Sequence, residues 1–152
     1  MENRRFPLFV DLSGRSAVVI GGGTVGLRRA EVLRHFGAVV TVVSPSLPRS
    51  VEGVRHVPRI YRTGDLAGAF LAVAATDDPA VNEAVGQEAR RLGILFNRSD
   101  DPAGCDFFFP AICEGGSMVV GLAGDGSDHR KTARTAKEIR KILENSKDDI
   151  DI

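Results

Sequence analysis

The sequence predicts an α/β fold with a parallel sheet over residues 1–110, followed by a small β-β-α segment over 111–145. Three observations predict it. Short apolar runs alternate with amphipathic stretches over the first two thirds of the chain, as in successive βαβ units. The first run, Ser16-Ala-Val-Val-Ile20, has no polar interruption, as expected of a strand covered on both faces. It then enters Gly21-Gly-Gly-Thr-Val-Gly26, which carries glycines at the spacing G-x-G-x-x-G between a strand and a helix. Together these describe a Rossmann-like domain.

The elements follow in order. Thr24 to Phe36 has helical spacing, with Val25, Ala30, Leu33 and Phe36 inward and Gly37 as the stop. Val39–Val43 is a second strand ending at Ser44-Pro45. Val54–Ile60 is a third, its Arg and His content suiting a sheet edge. Phe70–Ala74 is a fourth. Asp78-Pro79 starts a helix, because an aspartate accepts from the first free N–H groups and proline needs no donor there. Val81, Val85, Ala89 and Leu92 form its inner face, Gly93 ends it, and Ile94–Phe96 is the fifth strand. Beyond Pro110 the pattern changes. Two strands, 111–113 and 118–122, flank a turn at Glu114-Gly115-Gly116, and a helix spans about 130–143 with Ala133, Ala136, Ile139 and Leu143 inward. A hairpin and one helix bury little by themselves, so this segment is expected to dimerise. The acidic end, 146–152, is expected to be flexible.

Composition narrows the function. Twenty basic and 20 acidic residues balance to a net charge of zero, so no global field favours nucleic acid or membrane. The charged start, Met1-Glu-Asn-Arg-Arg, lacks the apolar core of an export signal, and two cysteines are too few for a disulfide framework; a cytoplasmic location is expected. His35, His56 and His129 are too scattered for a metal site, and none is expected.

The glycine loop has a physical purpose. Gly21 permits a tight turn, Gly23 lets a pyrophosphate approach the backbone, and Gly26 lets helix and strand pack closely, while Thr24 and Val25 open the helix whose N-terminus favours anions. Thr76, after the fourth strand, is expected to line the same crevice. An acidic residue normally ends the second strand and binds the ribose 2′-hydroxyl, but Ser44 stands there. The residues therefore leave NAD and NADP open, with Arg28 and Arg29 expected on the helix's solvent face. Alone, Asp100-Asp101-Pro102 reads as a turn. The basic residues Arg130, Arg134, Lys137 and Lys141 form one helical stripe, which reads as a solvated face or as an attractor for carboxylates.

Several segments together resemble the siroheme synthase N-terminal, or precorrin-2 dehydrogenase, family. They are Pro7-Leu-Phe-Val-Asp-Leu12, Val18-Val-Ile-Gly-Gly-Gly23, Val40-Thr-Val-Val-Ser-Pro45, Ala69 to Pro79, Asn97-Arg-Ser-Asp-Asp-Pro102 and Cys105 to Ile112. The resemblance implies NAD-dependent oxidation of precorrin-2 to sirohydrochlorin by a homodimer, in some members joined to iron insertion. It places the family's essential aspartate at Asp100, as a base or as a holder of pyrrole N–H groups, with Asp101 beside it. His129, Arg130 and Arg134 are candidate contacts to the acidic tetrapyrrole. Where relatives carry Ser-Ser-Gly-Gly-x-Ser-Pro, this chain reads Ala123-Gly-Asp-Gly-Ser-Asp-His129, so contacts from that loop do not transfer. Relatives also continue into a further helical domain; a chain of 152 residues is expected to leave the site more open and to oxidise without inserting metal, with a separate chelatase as one candidate partner. The competing readings are a bifunctional dehydrogenase and ferrochelatase, and an NAD-binding regulatory dimer without catalysis.

Overall fold

The computed structural model describes residues 5–145, so the acidic end expected to be flexible lies outside the described residues. These form two compact units, one of residues 10–107 and one of residues 5–9 with 108–145.

In the first unit the order is β1 (Ser16–Ile20), α1 (Thr24–His35), β2 (Val39–Ser44), β3 (Val54–Pro58), β4 (Leu71–Ala74), α2 (Pro79–Leu92) and β5 (Leu95–Arg98). The five strands make one parallel sheet in the order β3-β2-β1-β4-β5. Residues 17–20 and 71–74 are wholly buried, which is why β1 and β4 read as unbroken apolar runs. At the edge, β3 exposes Arg55 and half-buries His56. One core gathers Val18, Ile20, Val43, Ala72, Ala74, Val85, Ala89 and Phe96 from the sheet and α2.

Both helix boundaries have local causes. The Asp78 carboxylate accepts from the N–H groups of Ala80 and Val81, with Pro79 following it. Gly93 closes α2 in the left-handed conformation, φ +67°. Two residues expected inside lie outside. Val25 in the first turn of α1 and Leu92 in the last turn of α2 are both exposed, because near helix ends the sheet no longer covers the stripe. Gly26 and Leu27 fill the buried side of α1 instead, and Asn82, Gly86 and Glu88 share that of α2.

The second unit holds the antiparallel hairpin β6 (Ala111–Gly115) and β7 (Met118–Leu122), then α3 (His129–Asn145). Gly115 pairs with Met118, so the turn residues are Gly116 and Ser117, two positions beyond the expected start of the turn. Gly115 is in the strand because a Cβ there would sit 2.5 Å from the Leu143 Cβ; its absence lets α3 lie on the hairpin. Asp128 caps α3 by accepting from the Lys131 N–H at 2.9 Å. The core is small: Cys113, Ala136 and Leu143, with Ile139 partly covered. Ala133 is exposed, contrary to expectation. Among the described residues no helix is long and apolar enough to cross a membrane.

Candidate functional site

A cleft of about 850 Å³ opens at the C-terminal ends of β1, β2 and β4, a volume within the range of small-molecule sites. Its lining includes residues 21–24, 43–48, 60–61 and 75–78. The cleft exists because β1 is flanked by β2 on one side and β4 on the other, so the loops leaving these strands diverge there. Gly21 makes the turn out of β1 at φ +112°, and a Cβ on it would lie 2.3 Å from the Ala75 carbonyl oxygen. Gly26 packs under the same turn, where a Cβ would meet the Gly21 oxygen at 2.1 Å. Gly23 differs: its φ is −74°, and a Cβ would find no atom within 4 Å. Sterics of the fold therefore account for glycine at 21 and 26, and not at 23.

Gly23 is the N-cap of α1 and offers no side-chain acceptor, and the first turn contains no acidic residue. The first helical bond runs from Leu27 N–H to the Gly23 carbonyl. The N–H groups of residues 24–26 thus have no partner within the helix, and with the positive end of its dipole they suit an anion. A pyrophosphate fits this cradle. Val25 supplies only its backbone; its side chain faces solvent and does not border the cleft.

Ser44 is buried at the cleft floor, yet its hydroxyl is already engaged. It donates to the Ser46 carbonyl at 2.9 Å and lies 3.2 Å from His56 Nε2. His56 Nε2 is also 2.9 Å from the Ser44 carbonyl, which can only accept, so that nitrogen carries the proton. Tyr61, which also lines the cleft, donates to the carboxylate of Glu88, which accepts as well from Gly64 N–H at 2.6 Å. Burial, then Glu88, push the Tyr61 phenol up to about 12, so it stays a donor. A buried carboxylate thereby pins the loop after β3, a role that sequence periodicity does not show.

Thr76 lies on the cleft wall and is fastened by Asn82, which is fully buried. Asn82 Oδ1 accepts from the Thr76 N–H and hydroxyl, and its Nδ2 donates to the Thr76 carbonyl. Three bonds from one amide fix the backbone leaving β4.

Asp100 stands just past β5, in the first unit. Arg98 donates to both its oxygens, from Nε at 2.9 Å and Nη2 at 3.0 Å. The third arm of that guanidinium donates to Glu83 on α2 at 2.6 Å. The Arg98 side chain is 8% exposed and that of Asp100 is 30%. Hydrogen bonding from Arg98, aided by Asn82 and opposed by desolvation, pulls the Asp100 carboxyl down to about 2. Asp101 serves the turn: its side chain accepts from Ala103 N–H and caps a 3-10 turn at Pro102–Gly104. Cys105 accepts from Arg98 N–H, and burial pushes its thiol up, away from the nucleophilic form. Arg29, expected on the solvent face, is half-buried and donates to Asn97 Oδ1 at 2.5 Å, while Asn97 donates onward to the Phe107 carbonyl. Arg98 was not singled out from the sequence, since an arginine in a strand carries no motif of its own.

His129, Arg130 and Arg134 belong to the second unit, where all three are exposed on α3. Lys137 and Lys141 extend the same exposed stripe. Among the described residues no group of three or more His, Cys, Asp or Glu is placed to hold a metal ion.

A family model described as "Putative NAD(P)-binding" matches residues 8–111. The probable multifunctional siroheme biosynthesis protein HemA of Ruminiclostridium josui is 39% identical over 145 residues, covering 91% of this chain and 28% of its own length. The siroheme synthase of Azotobacter vinelandii is 40% identical over 126 residues, covering 79% of this chain and 27% of its own. The chain thus spans about a quarter of the length of the curated relatives it matches. A solved structure of SirC, precorrin-2 dehydrogenase, superposes with a TM-score of 0.75 at 28% identity, over 94% of this chain and 73% of that one.

Proposed function

Because the chain belongs to the NAD(P)-binding family shared by siroheme synthases and precorrin-2 dehydrogenase, we propose that it is an NAD-dependent dehydrogenase that oxidises precorrin-2 to sirohydrochlorin. The observation that carries this reading is the glycine loop. Gly23 is free of any steric need for glycine inside the protein, and it caps a helix whose first N–H groups are turned to a cleft of coenzyme size. A glycine that the fold does not require is explained by a ligand that comes close.

In this reading Gly21 to Gly26 hold the pyrophosphate, Ser44 and Tyr61 line the far end of the cleft, and Thr76 borders its mouth. NAD, when bound, accepts the hydride equivalent. Oxidation of precorrin-2 to sirohydrochlorin removes that hydride equivalent and one proton. Asp100 is the residue that meets the macrocycle, and Asp101 shapes the turn beside it. The basic stripe with Arg130 and Arg134, and His129 before it, attracts the substrate's carboxylates.

The protein works as a homodimer in the cytoplasm. The small core of the second unit, and the exposure of Val119 (40%) on the hairpin face turned away from α3, support coverage of that face by a second copy. The product passes to a separate chelatase.

The deciding experiment is an absorbance assay with enzymatically generated precorrin-2 and either NAD or NADP. NAD-dependent appearance of sirohydrochlorin establishes reaction and coenzyme together. Coenzyme binding without oxidation would replace this reading with that of a regulatory dimer, and iron insertion above the uncatalysed rate would add the ferrochelatase activity.

A further inference from the structure

We propose that Arg98 is a positioning residue of this site: anchored by Glu83 on α2, its guanidinium aims the Asp100 carboxylate as a fixed hydrogen-bond acceptor for substrate N–H groups, so that Asp100 holds the macrocycle and does not take up its proton. The proposal rests on the reading above and deepens it.

The geometry is that of a clamp. A guanidinium presents its donors in one plane with fixed spacing, and here two parallel N–H groups meet the two oxygens of Asp100. The third position is tied to Glu83 at 2.6 Å, and Glu83 is itself bound by Arg90 at 2.8 Å. Arg98 therefore cannot swing away with Asp100; it is fixed from the helix side. Its stem is buried, and its backbone N–H donates to the Cys105 thiol, which holds the strand end as well. Arg98 takes one lone pair of each Asp100 oxygen and Asn82 also bonds to the carboxylate, while the side chain, 30% exposed, stays within reach of a donor arriving from solvent.

The groups that face Asp100 reinforce one role. Arg98 from β5 and Asn82 from α2 both favour the ionised form. Glu83 on α2 has its charge matched by Arg98 and Arg90. Asp101 turns its side chain to Ala103 N–H, and the Cys105 thiol points to the Arg98 and Asp101 carbonyls. A general base works best when its affinity for protons lies near the working pH. A carboxylate held at about 2 is a poor base at neutral pH and a lasting acceptor. The balance of the reaction is kept: the hydride equivalent goes to NAD, and the proton leaves the macrocycle for solvent.

The test compares the full chain with Arg98→Met, Arg98→Lys and Glu83→Gln. Carbon-13 carboxyl NMR follows the titration of Asp100 without substrate or coenzyme, and steady-state kinetics separate KM from kcat. In Arg98→Met the Asp100 titration is expected to rise from about 2 toward its ordinary value of ~3.9. KM for precorrin-2 is expected to rise about tenfold, with kcat changed far less, because the lost contact serves binding. Arg98→Lys should fall between, since a point charge replaces a fork. An unchanged KM, a loss of kcat at constant KM, or an unmoved titration overturns the proposal. Should Arg98→Met fail to fold, Glu83→Gln decides, with a smaller rise in KM expected and an unaltered KM refuting. A parent chain that oxidises no precorrin-2 sinks the functional reading instead, while the Asp100 titration still decides whether Arg98 holds the carboxylate.

Discussion

Replacing Gly23 by alanine separates the needs of the fold from those of the ligand. The added methyl meets no atom within 4 Å, and φ −74° suits alanine, so no steric cost arises inside the protein. Alanine is a poorer N-cap than glycine, which costs about 0.5–1 kcal/mol. It also restricts the unfolded chain, which returns about 0.4–1 kcal/mol. The two nearly cancel, so the melting temperature should move by no more than a few degrees. Binding should respond quite differently. The methyl stands at the head of α1, where the free N–H groups of residues 24–26 would approach a pyrophosphate, and hydrogen bonds to a charged acceptor are worth about 1.5–3 kcal/mol each. Loss of even one weakens NAD by about tenfold or more. Calorimetric titration of NAD, beside a thermal melt, measures both effects. A folded Gly23→Ala variant that binds NAD within twofold of the parent would refute the assignment of this loop to the pyrophosphate. Gly26→Ala is the contrasting control: its methyl would lie 2.1 Å from the Gly21 oxygen, so the fold itself should suffer.

Asp100→Asn should lower kcat/KM for precorrin-2 by at least about tenfold while NAD affinity stays the same, as read by the assay above and by coenzyme titration. Tyr61→Phe removes one of the donors to the buried Glu88 and should cost about 1–3 kcal/mol in urea unfolding; an unchanged midpoint would show that the loop does not depend on this pair. In the folded state Asp100 titrates at about 2, below its ordinary value of ~3.9. Its contribution to stability is therefore complete above about pH 4 and is lost as pH falls toward 2. That loss should be blunted in Arg98→Met, in acid titrations followed by circular dichroism. Val119→Glu places a charge on the exposed hairpin face and should turn a dimer into a monomer in light scattering, where a dimer that persists would place the interface elsewhere.

What the sequence made legible follows from short-range physics. The strands, the Asp78-Pro79 start of α2 and the glycine loop rest on local patterns, and β1, α1 and the α2 start appear almost where expected. Val25 and Leu92 escaped because periodicity assigns a helix face without saying where the covering sheet ends. The turn at Gly116-Ser117 was misplaced because Gly115 is needed for contact with α3, which no local pattern shows. The long-range polar contacts of the arginines were the least legible. Arg98 meets Glu83 across 15 positions and Arg29 meets Asn97 across 68, and nothing in the composition of either segment announces the partner.

Asn82 shows how two halves of the site become one. It is a fully buried polar residue on a helix face shared with Val85, Gly86, Glu88 and Ala89, which would be costly if its amide were idle. Its amide instead holds Thr76 at the mouth of the cleft by three bonds, and the same side chain supports the ionised Asp100. Thr76 follows β4 and Asp100 follows β5, so one side chain on α2 sets the spacing between the coenzyme wall and the carboxylate. Asn82→Leu, close in size, should leave much of the packing intact yet unfasten both. Its signature is a joint loss, with NAD binding and precorrin-2 turnover falling together, whereas Gly23→Ala acts first on the coenzyme and Asp100→Asn on the substrate. If Asn82→Leu folded and impaired only one of the two, each half of the site would have to be held in place independently.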